Sequence, residues 1–278
     1  MERFYLIANQ TKDRAFAVTR QVARYLQEHG KQCFFSPQIR SCAGMDKELV
    51  RRPGGEESFH YTDPSLIPEN IDCVIVLGGD GTLLQAARDV VDRQIPLLGI
   101  NLGTLGYLAD IDSRSIVPAL DHLLAGEYVL QRRMMLTGSI YRKGKKIAED
   151  IALNDIVLGR QGGLRVVEFK NYVNGEFLNS YRADGIIIST PTGSTGYSLS
   201  AGGPVVSPEA AMLLMTPLAP HTLNTRSIIF PAHDVIHVEL GPARDGGVEH
   251  GMAFFDGDTG VPMLTGDRIE IKKSRKDT

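Results

Sequence analysis

The sequence predicts an α/β domain over residues 1–125, followed by an antiparallel β-sandwich domain over residues 126–278. In the first part, apolar runs typical of strands alternate with amphipathic helical stretches, a pattern that indicates a parallel sheet. After Gly126, short β-type runs follow one another with turn signals between them, such as the hairpin dipeptide Asn174-Gly175. With 278 residues, the chain is long enough for two domains that each have a hydrophobic core.

The first domain is predicted to be Rossmann-like, with strands at residues 4–8, 32–35, 74–77 and 96–100. Apolar residues at helical spacing predict a helix that Thr11 or Asp13 caps and that Gly30 ends. Two further helices are expected, one directly after residue 82 and one over residues 113–124. Residues 36–70 are polar and interrupted by prolines, so we expect a long surface segment there.

The second domain is predicted to consist of short antiparallel strands joined by tight turns. Its only helical candidate lies around residues 208–215. The predicted strands are residues 128–142, 146–158, 164–173, 176–182, 185–190, 226–230, 235–240, 251–256 and 268–272.

A glycine-rich turn, residues 78–82 with the sequence Gly-Gly-Asp-Gly-Thr, joins the central apolar strand to a helix. The glycines allow positive φ and a close approach of ligand to backbone, and the helix N-terminus offers N–H groups to a phosphate. Asp80 is a carboxylate inside this anion-binding arrangement, which is unfavourable unless the carboxylate takes a proton, as a general base does, or helps to hold a metal ion. The residues alone leave a second interpretation open, in which the turn is only sharp and Asp80 or Thr82 caps the helix. The turn matches neither the P-loop nor the Gly-x-Gly-x-x-Gly motif.

A second glycine-rich loop, residues 101–106, follows the next strand of the predicted parallel sheet. Loops at the carboxyl ends of neighbouring parallel strands face the same crevice. We therefore expect residues 78–82 and 101–106 to share one site.

Two polar stretches interrupt the apolar strands of the second domain. Asn154 and Asp155 are neighbours, and neighbours in a regular strand face opposite sides. A bulge would turn both toward the hydroxyls of a ribose, but these two residues alone favour a simple turn before the strand. The second stretch, residues 190–204, is rich in Thr, Ser and Gly and contains Tyr197. We expect an ordered polar loop there rather than a flexible linker.

The composition excludes several classes of protein. A net charge of −3 gives no bulk attraction to nucleic acid or to anionic membranes. Three cysteines without a Cys-x-x-Cys pair support neither a disulfide framework nor a zinc site. The sequence shows no signal-peptide pattern and no apolar run long enough for a bilayer. We therefore expect a soluble, cytoplasmic protein.

Several of these blocks, taken together, resemble the NAD kinases. They are residues 78–82, Asn154-Asp155, Asp184-Gly185, residues 190–197 and residues 217–223, and they occur in order between roughly residues 4 and 271. The resemblance implies an enzyme that transfers the γ-phosphate of ATP to the 2′-hydroxyl of the adenosine ribose of NAD, making NADP. It also implies a divalent cation (Mg²⁺ or Mn²⁺, with no protein ligands assigned) and a homo-oligomer, a dimer or tetramer. Inorganic polyphosphate stays open as a second phosphate donor.

The resemblance also implies roles for particular residues. Asp80 carries over as the catalytic base. The residues implied in binding the substrates are Gly79, Asp80, Gly81, Thr82, Asn154, Asp155, Arg165, Arg182, Asp184, Thr192, Thr195, Gly196, Tyr197 and Ser200. Two of them depart from the family pattern, because many members have Glu at the position of Asp155 and Ala at that of Gly196. A C-terminal tail common in the family is expected to be absent or short.

Three other functions stay open at this point. A lipid or diacylglycerol kinase shares the Gly-Gly-Asp-Gly turn, but residues 154–155 and 190–197 argue against it. A non-catalytic NAD-binding sensor would keep the pocket without turnover, although it would gain nothing from Asp80. A sugar kinase like 6-phosphofructokinase is the most distant of the three.

Overall fold

The computed structural model describes residues 1–35, 63–103, 106–109, 111–162, 166–222 and 225–278. The chain divides into two compact units. The first unit comprises Met1–Gln131 together with Thr278, and the second unit comprises Arg132–Asp277.

The first unit is built on a five-stranded parallel sheet in the order β2-β1-β3-β4-β5. Its strands are β1 (Arg3–Ala8), β2 (Gln32–Phe35), β3 (Cys73–Gly78), β4 (Leu97–Asn101) and β5 (Ile111–Asp112). Its helices are α1 (Ala17–Glu28), α2 (Asp80–Val90) and α3 (Ile116–Ala125), with 3-10 turns at Arg14–Phe16, Pro64–Leu66 and Val91–Arg93.

Both faces of this sheet are covered, as expected for a parallel sheet. Alternate residues of β1 separate the two cores. Phe4 and Leu6 pack with the apolar sides of α1 and α3, whereas Tyr5 and Ile7 pack with α2. The predicted α/β architecture is therefore confirmed.

The predicted start and end of α1 are confirmed, and Asp13 is the capping residue of the two candidates. Its carboxylate accepts hydrogen bonds from the backbone N–H groups of Val18 (3.0 Å) and Thr19 (2.8 Å). Gly30 ends the helix at φ +76°. The third helix begins three residues later than predicted, because Asp112 first holds the N–H groups of Arg114 and Ser115 in a turn. Of the predicted surface segment, residues 36–62 lie outside the described residues.

The second unit consists of two six-stranded antiparallel sheets, in the orders β10-β9-β14-β17-β6-β7 and β13-β12-β11-β8-β15-β16. The strands of the first sheet are β6 (Met134–Arg142), β7 (Lys145–Ala152), β9 (Val167–Val173), β10 (Glu176–Ala183), β14 (Ile236–Leu240) and β17 (Arg268–Asp277). Those of the second are β8 (Asp155–Arg160), β11 (Gly185–Ser189), β12 (Met212–Leu218), β13 (Ile228–Pro231), β15 (His250–Phe255) and β16 (Thr259–Leu264). A 3-10 turn, Thr192–Thr195, and a one-turn helix, α4 (Tyr197–Ser200), follow β11.

One hydrophobic core lies between the two sheets of the second unit. Leu136, Phe169 and Ile271 of the first sheet share it with Ile156 and Phe255 of the second. The sheets approach closely at Gly138, where a Cβ atom would lie 2.7 Å from the Phe255 ring. The predicted β-sandwich is therefore confirmed.

Several details of the second domain were predicted wrongly. The helical candidate at residues 208–215 is instead strand β12, because periodicity cannot distinguish a continuous apolar run in a buried strand from a buried helix. The expected strand over 146–158 is two strands, interrupted at Leu153 and Asn154. Strand β16 and helix α4 were missed, and β6 begins at Met134 rather than at residue 128.

The hairpin predicted at Asn174-Gly175 is confirmed. Both residues have positive φ (51° and 90°), as a type I′ turn requires, and they join β9 to β10. Within the described part of the chain, no helix is long and apolar enough to cross a membrane.

Candidate active site

The Gly-Gly-Asp-Gly-Thr turn joins β3 to α2 as predicted, but none of its glycines has positive φ, and close packing against the backbone is found at Gly78 and Gly79 but not at Gly81. Neither Gly78, Gly79 nor Gly81 has positive φ, and Gly79 is extended at φ −134°. A Cβ atom on Gly78 would lie 2.4 Å from Thr82 Oγ1, and one on Gly79 would lie 2.3 Å from Lys12 Nζ. At Gly78 the buried Thr82 side chain leaves no room for a Cβ atom, whereas at Gly79 the contact is with the end of the exposed, flexible Lys12 side chain.

The Asp80 carboxylate does not cap the helix. It reaches into the second glycine-rich loop, where Oδ2 accepts the backbone N–H of Tyr107 (3.1 Å) and Oδ1 that of Leu108 (3.4 Å). Gly106 allows this contact, since a Cβ atom there would lie 2.1 Å from Asp80 Oδ1. The Leu102 N–H also donates to the carbonyl of Gly78 (2.8 Å). The two glycine-rich loops therefore contact each other, as the sequence predicts, and their sharing of one ligand site stays a prediction.

Thr82 is buried and serves the turn itself. Its Oγ1 accepts a hydrogen bond from Asn9 Nδ2 (3.2 Å), and the Asn9 N–H donates to the carbonyl of Leu77 (2.8 Å). These bonds hold the end of β1 against the start of α2. Thr82 does not cap the helix, so neither form of the capping interpretation holds.

Lys12 is a candidate functional residue that the sequence reasoning missed. It is exposed in the turn after β1, where its N–H donates to the Asn9 carbonyl (3.1 Å). Its ammonium group lies against both glycine-rich loops, 2.3 Å from a Cβ placed on Gly79 and 3.2 Å from one placed on Gly103. A cation held beside backbone N–H groups at the start of a helix suits a phosphate. A lysine shortly after the first strand was the only available signal, and alone it indicates little.

In the second unit, Asn154 and Asp155 stand where β7 gives way to β8. Asp256, in the turn between β15 and β16, accepts three consecutive backbone N–H groups from this break: Leu153 (2.7 Å), Asn154 (2.7 Å) and Asp155 (3.2 Å). In return, the Asp256 N–H donates to the Asp155 carbonyl (3.0 Å). The strand begins at Asp155, so the irregular backbone before it lets both side chains turn to one side.

Asp155 is a buried carboxyl group with a perturbed pKa. Burial, and then the negative charge of Asp256, raise its pKa to about 7. Its side chain lies 3.8 Å from a Cβ placed on Gly196, and that of Asn154 lies 3.3 Å from the same point. Both side chains therefore face the loop that follows β11. Perturbed carboxyl groups of this kind are concentrated at functional sites.

That loop is ordered, as predicted, and packs directly on Asn154. Thr190 Oγ1 donates to the Leu153 carbonyl (2.6 Å), and the Thr190 N–H donates to the Asn154 carbonyl (2.9 Å). At Gly193 a Cβ atom would lie 2.1 Å from the Asn154 carbonyl oxygen, so only glycine fits. Further along, Ser194 Oγ accepts the N–H of Val206 (3.0 Å), which closes the loop.

Three buried polar atoms in this region have no hydrogen-bond partner among the described residues: Asn154 Oδ1, Ser189 Oγ and Thr192 Oγ1. Ser189 lies opposite Asp155 in the register of β11 and β8, so their side chains share a face of the sheet. Buried polar atoms normally have partners, and unpartnered donors and acceptors grouped in this way are available to a polar ligand. The sequence prediction of Asn154 and Thr192 as binding residues agrees with this geometry.

The remaining predicted residues are more peripheral. Asp184 is partly buried beside Arg160, whose Nε donates to Asp184 Oδ1 (3.2 Å). Tyr197 is half exposed, and Arg182 and Ser200 are exposed. Thr195 Oγ1 donates to the Thr192 carbonyl (3.2 Å) within the 3-10 turn. Arg165 lies outside the described residues.

No protein cage for a metal ion is formed among the residues that the structure describes, since no three His, Cys, Asp or Glu side chains lie together there. The donor set near the glycine-rich loops is instead one carboxylate, one ammonium group and backbone N–H groups. Mg²⁺ in kinases is usually held by one or two carboxylates together with substrate phosphates. The residues present therefore suit a cation that arrives on a nucleotide.

Comparison with known proteins gives matches across both units. Residues 4–128 match the family model described as the ATP-NAD kinase N-terminal domain, and residues 153–278 match that of the ATP-NAD kinase C-terminal domain. The NAD kinase of Lachnospira eligens is 44% identical over 99% of this chain and 93% of its own length. That of Acetivibrio thermocellus is 40% identical over 99% of this chain and 90% of its own length.

Solved structures are similar as well. Yeast NADH kinase complexed with NADH matches with a TM-score of 0.80 and 26% identity, over 100% of this chain and 82% of that chain. An NAD kinase from Archaeoglobus fulgidus in complex with ATP has a TM-score of 0.71 over 99% of this chain and 92% of that chain; at 21% identity it shows the shared fold alone. Because the models of both domains match and relatives align over nearly the whole chain, the protein belongs to the NAD kinase family.

Proposed function

We propose that the protein transfers the γ-phosphate of ATP to the 2′-hydroxyl of the adenosine ribose of NAD, making NADP. The observation that carries this proposal is the placement of Asp80. Its carboxylate accepts backbone N–H groups of the second glycine-rich loop, and the Lys12 ammonium lies against Gly79 and Gly103 of the same two loops, in a chain that matches NAD kinases over both units. A simple phosphate-binding turn would not require a carboxylate there.

Asp80 acts as the base in this proposal. A ribose hydroxyl is a weak nucleophile near neutral pH, and a carboxylate within hydrogen-bond reach takes its proton as the new bond to phosphorus forms. The two N–H groups from Tyr107 and Leu108 fix the direction of the carboxylate. Fixed orientation matters because phosphoryl transfer depends mainly on positioning and charge neutralisation.

We assign the phosphates of ATP to the glycine-rich loops of the first unit and to Lys12. Backbone N–H groups at the start of α2 donate to phosphate oxygens, and the lysine ammonium offsets their charge. When bound with the nucleotide, Mg²⁺ or Mn²⁺ would supply further neutralisation of the phosphate charge. ATP is the proposed donor, and polyphosphate is a second donor to be compared in the same assay.

We assign NAD to Asn154, Asp155 and the loop after β11. Asn154 Oδ1, Thr192 Oγ1 and the Asp155 carboxyl offer acceptors to ribose hydroxyls, and the half-exposed Tyr197 offers an aromatic face. Asp184 and Arg182 are proposed as outer contacts. The proposal also includes a cytoplasmic location. It further includes a homo-oligomer, and sedimentation of the purified protein measures this oligomeric state directly.

The decisive experiment measures NADP formation from NAD with ATP and Mg²⁺, for the wild type and for Asp80→Asn. We expect the variant to keep its affinity for NAD in calorimetry while turnover falls by about 10²–10⁴-fold, the usual contribution of a general base. Asp92→Asn is the matched control, because Asp92 is exposed in the turn at the other end of α2.

Each other outcome changes the conclusion. Nearly full activity in Asp80→Asn would make Asp80 a turn residue rather than the base. Wild-type protein that binds NAD without making NADP would be a sensor. Binding to phospholipid vesicles, together with phosphorylation of a lipid, would favour the lipid kinase.

A further inference from the structure

The backbone N–H groups at the break between β7 and β8 are bound by one distant side chain. The backbone N–H groups of Leu153, Asn154 and Asp155 all donate to Asp256, which is more than a hundred residues later in the sequence. In a regular sheet, these groups would pair with a neighbouring strand. Here three successive N–H groups converge on one anion, as in the backbone concavities that bind anionic ligands.

Asp256 is held firmly enough for this role. Its own N–H donates to the Asp155 carbonyl (3.0 Å), so the turn and the strand bind each other in both directions. Asp256 takes the left-handed conformation, φ 51°, and Gly257 follows at φ 72°. A short polar side chain tolerates that conformation better than most. The hairpin between β15 and β16 therefore presents the carboxylate in a fixed position.

The other side of the break is held by the loop after β11. Thr190 donates through Oγ1 to Leu153 and through N–H to Asn154. Residues 153–155 are thus fixed from two sides, and the side chains of Asn154 and Asp155 are left facing Gly196. Among the described residues, the hydrogen bonds that hold this backbone involve the side chains of Asp256 and Thr190 rather than those of Asn154 and Asp155, which leaves both side chains available to a ligand.

We propose that Asp256 is a positioning residue for NAD, whose carboxylate holds the Asn154–Asp155 backbone so that both side chains face the ribose hydroxyls. This inference rests on the proposed function, because it takes NAD as the ligand of those side chains. In this proposal Asp256 acts through its hydrogen bonds to the backbone N–H groups of residues 153–155. Its negative charge has a second effect, since it contributes, after burial, to raising the pKa of Asp155.

The test replaces Asp256 by Asn, which keeps the shape and removes the charge. Asp258→Asn is the matched control, because Asp258 is exposed in the same turn and the change in charge is identical. We expect Asp256→Asn to raise the Kd of NAD in calorimetry and the KM for NAD about tenfold, since hydrogen bonds to a charged group are lost. The KM for ATP and kcat should stay within about twofold of wild type.

A pH series of the NAD affinity separates positioning from a purely structural role. The charged group that faces Asp155 from the neighbouring turn is Asp256, so its removal should shift the Asp155 titration to lower pH. Asp258→Asn should titrate like the wild type. Amide hydrogen exchange by NMR gives a further measurement, in which protection at residues 153–155 should fall in Asp256→Asn while that of β15 persists.

Unchanged NAD affinity in Asp256→Asn would overturn the inference. The inference would also be overturned if the KM rose equally for NAD and ATP while the Asp155 titration did not shift. That result would indicate general destabilisation of the protein. A wild type that binds NAD but makes no NADP would overturn the proposed function alone, because calorimetry still measures the role of Asp256. A wild type that does not bind NAD would overturn both.

Discussion

At the scale of single residues, Asp155 carries the clearest consequence for stability. Its pKa is raised to about 7 in the folded protein, against about 3.9 in an unfolded chain. At pH values between these two pKa values, Asp155 is therefore protonated in the folded state and ionised in the unfolded state. The stabilising contribution of protonated Asp155 is complete below the unfolded pKa and is lost as the pH rises through the folded pKa.

The corresponding prediction concerns Asp155→Asn. Between about pH 5 and pH 7, the unfolding free energy of the wild type should fall by about 1.4 kcal/mol per pH unit relative to the variant, and the difference should level off above pH 7. Urea unfolding of both proteins at a series of pH values measures it. A constant difference across the series would mean that Asp155 titrates as in an unfolded chain.

The functional roles of some residues could be predicted from the sequence, and those of others could not. Asp80, Asn154 and Thr192 could be predicted because they lie in sequence motifs that resemble those of the NAD kinases. Lys12 and Asp256 were missed because their significance comes from tertiary approach: Lys12 lies against Gly79, and Asp256 against Leu153. No spacing rule connects residues that far apart. The prediction that the glycines adopt positive φ was also wrong, since none of them does, and at Gly78 it is the buried Thr82 side chain that leaves room only for glycine.

At the scale of elements, strong patterns were predicted and ambiguous ones were not. Strand β3, the following turn and α2 carry a buried run, glycines and an amphipathic stretch, and all three form where expected. Strand β12 differs from the predicted helix because an apolar run without alternation fits either element when it is buried. Strand β16 contains glycine and proline, which lower the strand signal.

The start of α1 gives a prediction at this scale. Asp13 is 2% exposed and accepts two backbone N–H groups and the Thr19 hydroxyl. In Asp13→Ala these donors lose their buried acceptor, so we expect the unfolding free energy to fall by about 1–3 kcal/mol. Chemical denaturation followed by circular dichroism tests it, with Asp63→Ala, at an exposed turn, as the comparison. An equal loss in both variants would show that Asp13 does not cap the helix in solution.

At the scale of the whole molecule, the first unit is expected to bind ATP and the second unit to bind NAD. Lys12→Met removes a cation from the glycine-rich loops of the first unit, and Asp184→Ala removes a carboxylate from the second unit. We expect the first variant to raise the KM for ATP and the second to raise the KM for NAD, each about tenfold, with the other KM nearly unchanged.

Steady-state kinetics with each substrate varied in turn decides this division. Lys31→Met is the control for lysine, since Lys31 forms an ion pair with Glu2 away from both glycine-rich loops. The reverse pattern, with Lys12→Met acting on NAD, would require a different assignment of substrates to the units.

The topology of the second unit also determines how it forms during synthesis. The last strand, β17, lies inside its sheet between β14 and β6, and β15 lies inside the other sheet between β8 and β16. Neither sheet has its final neighbours until the C-terminal residues have left the ribosome, on the order of ten seconds after β6 is made. Until then β6 and β8 present unpaired backbone edges, which favour association with other chains. The first unit can close earlier, so the nascent chain carries a folded half and an aggregation-prone half that requires protection.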